Sequence, residues 1–178
     1  MSGTVLSREW NKLTQLRLVV LDVDGVLTDG SKHYNQHGIA GLTFHVRDGL
    51  GIYLLQGAGL MVAWVTNDRN GIIQCRAKDL GVSELLQGVD DKSAAVRHLK
   101  SSFGFTTDET LYMGDDLWDL PAFEEAAVRV AVADASLRVR AAANWITSAK
   151  GGGGAVREVA DAILNAMNID SAHLLRKK

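Results

Sequence analysis

The chain has 178 residues, of which 47% are hydrophobic and only one is proline, so it can bury a sizeable core and falls within the usual size of one domain. Its 19 basic and 21 acidic residues give a formal net charge of -2, which argues against nucleic acid or an anionic membrane surface as a partner. We therefore expect a single domain over residues 1–178.

The first residues and the apolar runs predict neither export nor a membrane anchor. Residues 1–15 lack the apolar stretch of a secretory signal. No apolar run approaches the roughly 20 residues that are needed to span a bilayer. We therefore expect the protein to be cytoplasmic.

Short apolar runs alternate with amphipathic segments along the chain. This alternation is typical of an α/β fold with a doubly wound parallel sheet. The runs predict strands near residues 18–21, 60–65, 111–113, 128–132 and 145–146. The amphipathic segments predict helices, and Gly59, Gly81 and Gly104 lie where three of these helices should end.

Two segments do not follow this alternation. Residues 28–47 contain strand-like pieces around 33–34 and 42–46 on either side of the turn at 35–38, which predicts a β-hairpin flap that projects from the sheet. The tail at 168–178 is polar and ends in three basic residues. We expect this tail to be loosely held.

Two aspartates, Asp22 and Asp24, directly follow the first predicted strand in the sequence Asp-Val-Asp-Gly-Val. Reactive groups collect at the carboxyl ends of strands in open α/β sheets. Two carboxylates this close repel each other unless a cation or a shared proton relieves them, so the pair indicates a metal. An acidic surface turn is the alternative interpretation.

A second acidic cluster, formed by Asp115, Asp116 and Asp119, follows the apolar run at 111–113. We expect it at the same edge of the sheet as the first pair. Oxygen ligands alone suit Mg²⁺, and the absence of histidine and cysteine from both motifs disfavours zinc. On its own this cluster is weak support, because aspartate and glycine also favour turns for backbone reasons.

Two further positions fit a phosphate site. Thr66 and Asn67 end the strand predicted at 60–65 and offer hydroxyl and backbone N–H groups. Lys92 lies where a helix should begin, although the helix dipole disfavours a cation there. The alternatives are an ordinary strand-end threonine and a solvated surface lysine.

Taken in order, these motifs resemble those of the haloacid dehalogenase superfamily phosphatases. Segments at 44–52, 130–135 and 151–158 further resemble the 3-deoxy-D-manno-octulosonate 8-phosphate phosphatases, and the likeness covers residues 18–166. It implies a Rossmann-like domain with a β-hairpin flap and no large cap domain. It also implies a homotetramer in which a neighbouring subunit helps to close each active site.

The resemblance assigns roles to the motif residues. It makes Asp22 the nucleophile that forms an aspartyl-phosphate, and Asp24 the acid and then the base. Mg²⁺ is held by the Asp22 carboxylate, the Asp24 backbone carbonyl and Asp115. Thr66 and Lys92 bind the phosphate oxygens.

The resemblance also implies contacts with the substrate, a phosphorylated sugar acid. The residues that it assigns to substrate binding are Asp24, His45, Val46, Arg47, Asp48, Gly49, Arg76 and Lys92. Arg47 would pair with a carboxylate; the alternative is that it is simply an exposed strand residue. For Arg76 the alternative is a solvated arginine on a helix. Asp116 and Asp119 are expected to orient Asp115 or metal-bound waters.

Three arginines of the family pattern are missing from this chain. Asn67 and Asp68 stand where the family has Gly-Arg, and Tyr53 and Gly153 each replace an arginine. Each lost arginine removes a charge-assisted contact worth about 1.5–3 kcal/mol when well formed. We therefore rank the octulosonate 8-phosphate first, with lipopolysaccharide biosynthesis as the implied pathway, and a nine-carbon sugar acid 9-phosphate second.

Two other classes of function remain as alternatives. One is a non-catalytic module for oligomerisation or regulation, although intact Asp22, Asp24, Lys92 and Asp115 argue against it, since such crowded carboxylates are costly without a metal. The other is a nucleotide-binding Rossmann protein, but no glycine-rich fingerprint follows the first strand. We interpret the glycines at 151–154 as a flexible loop over the site.

One cysteine and three tryptophans carry predictions about the core. Cys75 cannot form an internal disulfide because it is the only cysteine, and its apolar neighbours predict that its helix turns it toward the core. Trp64 lies inside a predicted strand and should be buried. Trp10 and Trp118 are expected at a subunit interface or at the rim of the active site.

Overall fold

The structure is a computed structural model that describes residues 11–175. Trp10 and residues 176–178 lie outside this part of the chain, so the predictions for that tryptophan and for the end of the tail fall outside it as well. Each helix between residues 11 and 175 is too short or too polar to cross a membrane.

A central parallel sheet confirms the predicted α/β class. Its strands are β1 (Leu18–Leu21), β4 (Met61–Thr66), β5 (Glu84–Gln87), β6 (Thr110–Gly114), β7 (Val128–Ala131) and β8 (Trp145–Ile146). Their order across the sheet is β5-β4-β1-β6-β7-β8, and all neighbours are parallel. The chain therefore winds outward from β1 in both directions, which makes the carboxyl end of β1 the point where ligands bind in such sheets.

The helices connect these strands and end close to the predicted positions. They are α1 (Val46–Gly57), α2 (Gly71–Asp79), α3 (Lys92–Phe103), α4 (Leu120–Phe123), α5 (Leu137–Ala142), α6 (Ala155–Ala166) and α7 (Ser171–Leu174), with a 3-10 turn at Leu117–Asp119. Helix α1 packs against α6, and α7 contacts α1. The tail is therefore not entirely loose, since Asp170 caps α7 by accepting a hydrogen bond from the Ala172 N–H.

The predicted flap is a hairpin of β2 (Thr28–Asn35) and β3 (Gly38–Phe44), which pair only with each other in the described chain. The turn at 35–38 is confirmed. The return strand, however, ends at Phe44, and α1 begins at Val46 after His45 in an extended conformation. Residues 46 and 47 were predicted in the flap, but they belong to the first turn of α1, where the carboxylate of Asp48 suits the helix dipole.

The structure confirms the prediction for Trp64, corrects the one for Cys75 and adds a strand that was not predicted. Trp64 is fully buried and stacks on Phe44 of the hairpin, with ring centroids 6.4 Å apart. Cys75 is exposed, because α2 buries Ile73 and Ala77 on its other face. Strand β5 was not predicted, because it lies at the sheet edge, is only half-buried and has polar residues at both ends.

Candidate active site

The predicted motifs meet at one edge of the sheet. Strands β4, β1 and β6 are neighbours, and their carboxyl ends carry Thr66, Asp22 and Asp115. Lys92 opens α3 beside them. These groups surround a cavity of about 410 Å³, lined by Asp22, Asp24, Gly25, Gly30, Thr66, Asn67, Lys92, Asp115, Asp116, Trp118 and Asp119.

Lys92 joins two buried carboxylates at the bottom of this cavity. Its Nζ lies 2.7 Å from Oδ1 of Asp22 and 2.7 Å from Oδ1 of Asp119. All three side chains are buried. Burial and the charge of Asp119 raise the pKa of Asp22 well above its usual value, while Lys92 opposes this shift. The ionised form of Asp22 therefore depends on nearby cations.

Asp119 uses both of its oxygens to organise the site. Oδ1 accepts hydrogen bonds from Lys92 and from the Tyr112 hydroxyl, each at 2.7 Å. Oδ2 accepts the N–H groups of Asp115 at 2.9 Å and Asp116 at 3.2 Å. The side chain thus fixes the turn after β6. Tyr112 was missed by the sequence analysis, although a phenol inside a buried strand signals that its hydroxyl needs a partner.

Asp115 is held in a crowded acidic position. Burial, followed by the charges of Asp119 and Asp116, raises its pKa to about 7. Gly25 lies against this carboxylate with a φ of +85°, and a Cβ at that position would overlap it. The turn after β1 therefore requires glycine for its backbone conformation and for the space that Asp115 occupies.

The oxygens of this site fit a magnesium ion. Ligand atoms of Asp22, Asp115 and Asp119 lie within 4.8 Å of one another. Asp119 already accepts four hydrogen bonds, so Asp22 and Asp115 are the better metal ligands. Burial and neighbouring carboxylates raise the pKa of both groups, so a cation bound between them would favour their ionised forms. Carboxylate oxygens without histidine or cysteine are a donor set that Mg²⁺ prefers.

Asp24 lies on the hairpin side of the cavity and is paired through only one oxygen. Its Oδ2 is 3.3 Å from Nζ of Lys32, a residue of β2. Its Oδ1 is buried and has no hydrogen-bond partner in the described chain. Lys32 also contacts Oδ2 of Asp68 at 2.7 Å. The sequence analysis missed Lys32, because nothing in the hairpin pattern shows where this side chain reaches.

Thr66 and the glycine loop complete the surroundings of the cavity. The Thr66 hydroxyl accepts the Asp68 N–H at 3.0 Å, so it shapes the turn after β4. Gly152 donates its N–H to the Val26 carbonyl at 2.9 Å, which brings the glycine loop onto the turn after β1. Trp118 is 66% exposed and lines the cavity, so its prediction at the active-site rim is confirmed.

Of the residues predicted to bind the substrate, Asp24 and Lys92 line this cavity, but the other six do not. His45, Asp48, Gly49 and Arg76 surround a separate narrow space beneath the hairpin. His45 Nδ1 and Arg76 Nε are both buried there without a hydrogen-bond partner in the described residues. Val46 and Arg47 point to the outside. Within one subunit the structure therefore groups four of these residues with each other and leaves two exposed.

Asp48 makes a structural contact between distant helices. Its oxygens accept the N–H groups of Arg157 at 2.8 Å and Gly154 at 3.1 Å, at the start of α6. Only 1% of Asp48 is exposed. Burial raises the pKa of Asp48, and the two backbone donors oppose that shift. Asp48 thus caps α6 from the first turn of α1.

Comparison with known proteins places this arrangement among hydrolases. A family model described as haloacid dehalogenase-like hydrolase matches residues 61–159. A protein from Haemophilus influenzae named 3-deoxy-D-manno-octulosonate 8-phosphate phosphatase KdsC is 43% identical over 160 residues, which are 90% of this chain and 89% of the relative. A protein of the same name from Yersinia pestis is 38% identical over 166 residues, covering 93% of this chain and 89% of that protein.

Solved structures show the same likeness. A 3-deoxy-D-manno-octulosonate 8-phosphate phosphatase from Moraxella catarrhalis, in complex with magnesium ion, phosphate ion and KDO, superimposes with a TM-score of 0.91 at 37% identity. The match covers 97% of this chain and 99% of that one. A cobalt-bound deoxy-D-mannose-octulosonate 8-phosphate phosphatase from Haemophilus influenzae gives a TM-score of 0.89 at 42% identity, covering 93% and 99%.

Proposed function

The chain belongs to the haloacid dehalogenase-like hydrolases and, among them, to the 3-deoxy-D-manno-octulosonate 8-phosphate phosphatases, and from this membership we propose that it hydrolyses that ester with Mg²⁺. The observation that carries the proposal is the set of Asp22, Asp24, Lys92 and Asp115 around one cavity. The products are the free sugar acid and inorganic phosphate. Lipopolysaccharide biosynthesis is the pathway that this product implies.

The phosphate is bound at the carboxyl end of β1. Lys92 and Thr66 contact its non-bridging oxygens, and Lys92 also favours the ionised form of the neighbouring Asp22. Asp22 and Asp115 hold the magnesium ion together with the backbone carbonyl of Asp24. When bound, Mg²⁺ supplies positive charge that offsets the repulsion between these carboxylates and the phosphate.

The reaction proceeds by covalent catalysis. A carboxylate oxygen of Asp22 attacks phosphorus, and the bond to the sugar oxygen breaks as Asp24 gives that oxygen a proton. Asp24 then takes a proton from the water that attacks the aspartyl-phosphate and restores Asp22. Asp119 acts through the residues that it holds, because it fixes Lys92 and the Asp115 N–H.

The sugar acid extends from the phosphate toward the hairpin. Its proposed contacts are His45, Val46, Arg47, Asp48, Gly49 and Arg76. Nδ1 of His45 and Nε of Arg76, which make no hydrogen bond within the described residues, support such contacts. The exposure of Arg47 supports a site that is completed by a second subunit. The nine-carbon alternative is not favoured, because the relatives carry the octulosonate name.

We further propose that the protein is a cytoplasmic homotetramer assembled through the hairpin. Strands β2 and β3 form a two-stranded ribbon, which is marginally stable alone and leaves both outer edges without a partner strand in the described chain. Tyr34 on this ribbon is 69% exposed. The mass of the assembly, measured by light scattering after gel filtration, tests this state.

The function is tested by phosphate release from purified protein with and without Mg²⁺. The substrates are 3-deoxy-D-manno-octulosonate 8-phosphate and nine-carbon sugar acid 9-phosphates. Asp22→Asn serves as the blank because it removes the nucleophile, and Asp79→Asn is a matched control at the exposed end of α2. We expect phosphate release that depends on Mg²⁺ and is faster with the octulosonate ester. The wild type and Asp79→Asn should show this release, and Asp22→Asn should not.

Two results would contradict the proposal. A preference for a nine-carbon ester would mean that Asp68, Tyr53 and Gly153 change the substrate specificity. The absence of Mg²⁺-dependent release above the Asp22→Asn blank on every ester would favour the non-catalytic module.

A further inference from the structure

The hairpin contributes one cation to the edge of the active site. Lys32 lies on β2, and its Nζ bridges Oδ2 of Asp24 at 3.3 Å and Oδ2 of Asp68 at 2.7 Å. The three residues come from the hairpin, from the turn after β1 and from the turn after β4. An ammonium group with two such partners ties the hairpin to both strand ends.

Asp68 is a firm anchor for this lysine. Its Oδ1 accepts the Asn70 N–H at 2.8 Å, while its own N–H donates to the Thr66 hydroxyl at 3.0 Å. Burial tends to raise the pKa of Asp68, but hydrogen bonds from Lys32 and the Asn70 N–H lower it below its usual value. Position 68 therefore carries a fixed negative charge that holds the Lys32 ammonium in place.

The two oxygens of Asp24 are left in different situations by this contact. Lys32 holds Oδ2, whereas Oδ1 is buried without a partner in the part of the chain that the structure describes. Asp24 lines the cavity that holds Asp22 and Lys92. A carboxyl group that is free to rotate would hold no single direction, but the contact of Oδ2 with Lys32 and the burial of Oδ1 fix the orientation of this one.

We propose that Lys32 is a positioning residue for leaving-group protonation, because its contacts with Asp24 and Asp68 hold the Asp24 carboxyl group at the edge of the cavity. This inference rests on the proposed function. As the Asp22 oxygen bonds to phosphorus, the bond from phosphorus to the sugar oxygen breaks and its electron pair stays on that oxygen. The proton moves from the Asp24 carboxyl group to the same oxygen, which leaves as the alcohol.

Two esters with different leaving groups isolate this step. A sugar alkoxide leaves poorly without a proton, whereas p-nitrophenolate is a stable anion and needs none. The value of kcat/KM covers steps up to the departure of the alcohol, so the later attack of water does not affect it. Positioning of the acid should therefore matter for 3-deoxy-D-manno-octulosonate 8-phosphate and much less for p-nitrophenyl phosphate.

The test compares Lys32→Met with Lys32→Arg in the full chain with Mg²⁺. Lys32→Met should lower kcat/KM about tenfold or more for the sugar ester and by less than about twofold for the aryl ester. Lys32→Arg keeps a donor for both carboxylates and should recover most of the loss. Lys78→Met, at an exposed position in the last turn of α2, should match the wild type on both esters.

The outcomes separate this role from the proposed function. If the wild type does not hydrolyse the sugar ester, the proposed function fails, and the role of Lys32 fails with it. If the wild type is active but Lys32→Met changes both esters equally, or neither, only the role of Lys32 fails. Thermal unfolding checks that each variant folds. Should Lys32→Met not fold, Asp68→Asn removes the anchor charge instead, and an unchanged ratio of the two kcat/KM values would overturn the role.

Discussion

Oδ1 of Asp48 accepts a hydrogen bond from the Arg157 N–H at 2.8 Å, so the first turn of α1 caps the first turn of α6. The second oxygen of Asp48 accepts the Gly154 N–H. Because α1 follows the hairpin and α6 follows the glycine loop, this carboxyl group also sets the spacing between two segments near the active site. Its role in stability can be separated from the predicted contact with the sugar.

Removal of the Asp48 carboxyl group should destabilise the protein. Asp48→Ala leaves two partly buried N–H groups without their acceptor, and we expect a loss of about 1–3 kcal/mol in the free energy of unfolding. Urea unfolding followed by circular dichroism measures this loss. Asp161→Ala is the control, because the exposed ion pair of Asp161 with Arg157 should contribute less than about 1 kcal/mol. Equal effects of the two variants would show that the cap does not stabilise α6.

Asp119→Asn should weaken magnesium binding without removing a preferred metal ligand. The asparagine side chain has one oxygen where aspartate has two. Its NH₂ group must therefore face other hydrogen-bond donors, either Lys92 and Tyr112 or the backbone N–H groups. We expect the Mg²⁺ concentration for half-maximal phosphate release to rise about 10- to 100-fold. Asp108→Asn, at an exposed position before β6 and so at the opposite end of that strand from Asp115, should not change it. An unchanged Mg²⁺ requirement in Asp119→Asn would contradict the role of Asp119 in fixing the turn after β6.

A methyl group at Gly25 should abolish activity through a collision. Gly25→Ala places a Cβ inside the Asp115 carboxylate, whereas Gly59→Ala places one where no atom lies within 4 Å. Both glycines have a positive φ, at +85° and +89°, so each variant should lose about 1–2 kcal/mol of stability from backbone strain. Phosphate release should be lost only in Gly25→Ala. Comparable activity in the two variants would mean that Asp115 can move without consequence.

Stabilisation by Mg²⁺ should depend on pH through Asp115. In the metal-free protein the pKa of Asp115 is raised to about 7 by burial and by its acidic neighbours, whereas the unfolded chain has the ordinary value of about 4. The folded state therefore binds a proton that the unfolded state does not, and this group lowers stability as the pH rises from about 4 to 7. Mg²⁺ replaces that proton, so the rise in Tm on adding Mg²⁺ should be larger at pH 8 than at pH 5.5.

Asp115→Asn provides the control for this pH dependence. The amide does not titrate, so the Tm rise in this variant should be small at both pH values. An equal rise for the wild type at pH 5.5 and pH 8 would contradict the link between this carboxyl group and the metal.

The acidic centre could be predicted from the sequence because its parts are attached to strands. Asp22 and Asp115 directly follow apolar runs, and parallel strands bring their carboxyl ends to one edge. The apolar pattern is strong in the buried strands and weak in β5, which is why this edge strand was not predicted. Cys75 was misplaced for a related reason, since apolar neighbours identify a helix but do not by themselves define its buried face.

Contacts that depend on the hairpin could not be predicted in this way. The direction of a two-stranded ribbon relative to the sheet decides whether Lys32 reaches Asp24, and no local pattern specifies that direction. The same holds for Asp48, whose partner Arg157 is distant in sequence. Asp119 followed the predicted motif, but the use of both its oxygens became visible only with Tyr112 and Lys92 in place.

The position of β1 between β4 and β6 also bears on how the protein is made. During synthesis β1 leaves the ribosome as an apolar segment before either neighbouring strand exists, so it cannot be covered until much of the chain has followed. The residues proposed for catalysis are divided among the ends of these same three strands and the start of α3. A nascent chain that stops before the end of β6 lacks Asp115, so we expect catalysis to begin only when the centre of the sheet is complete.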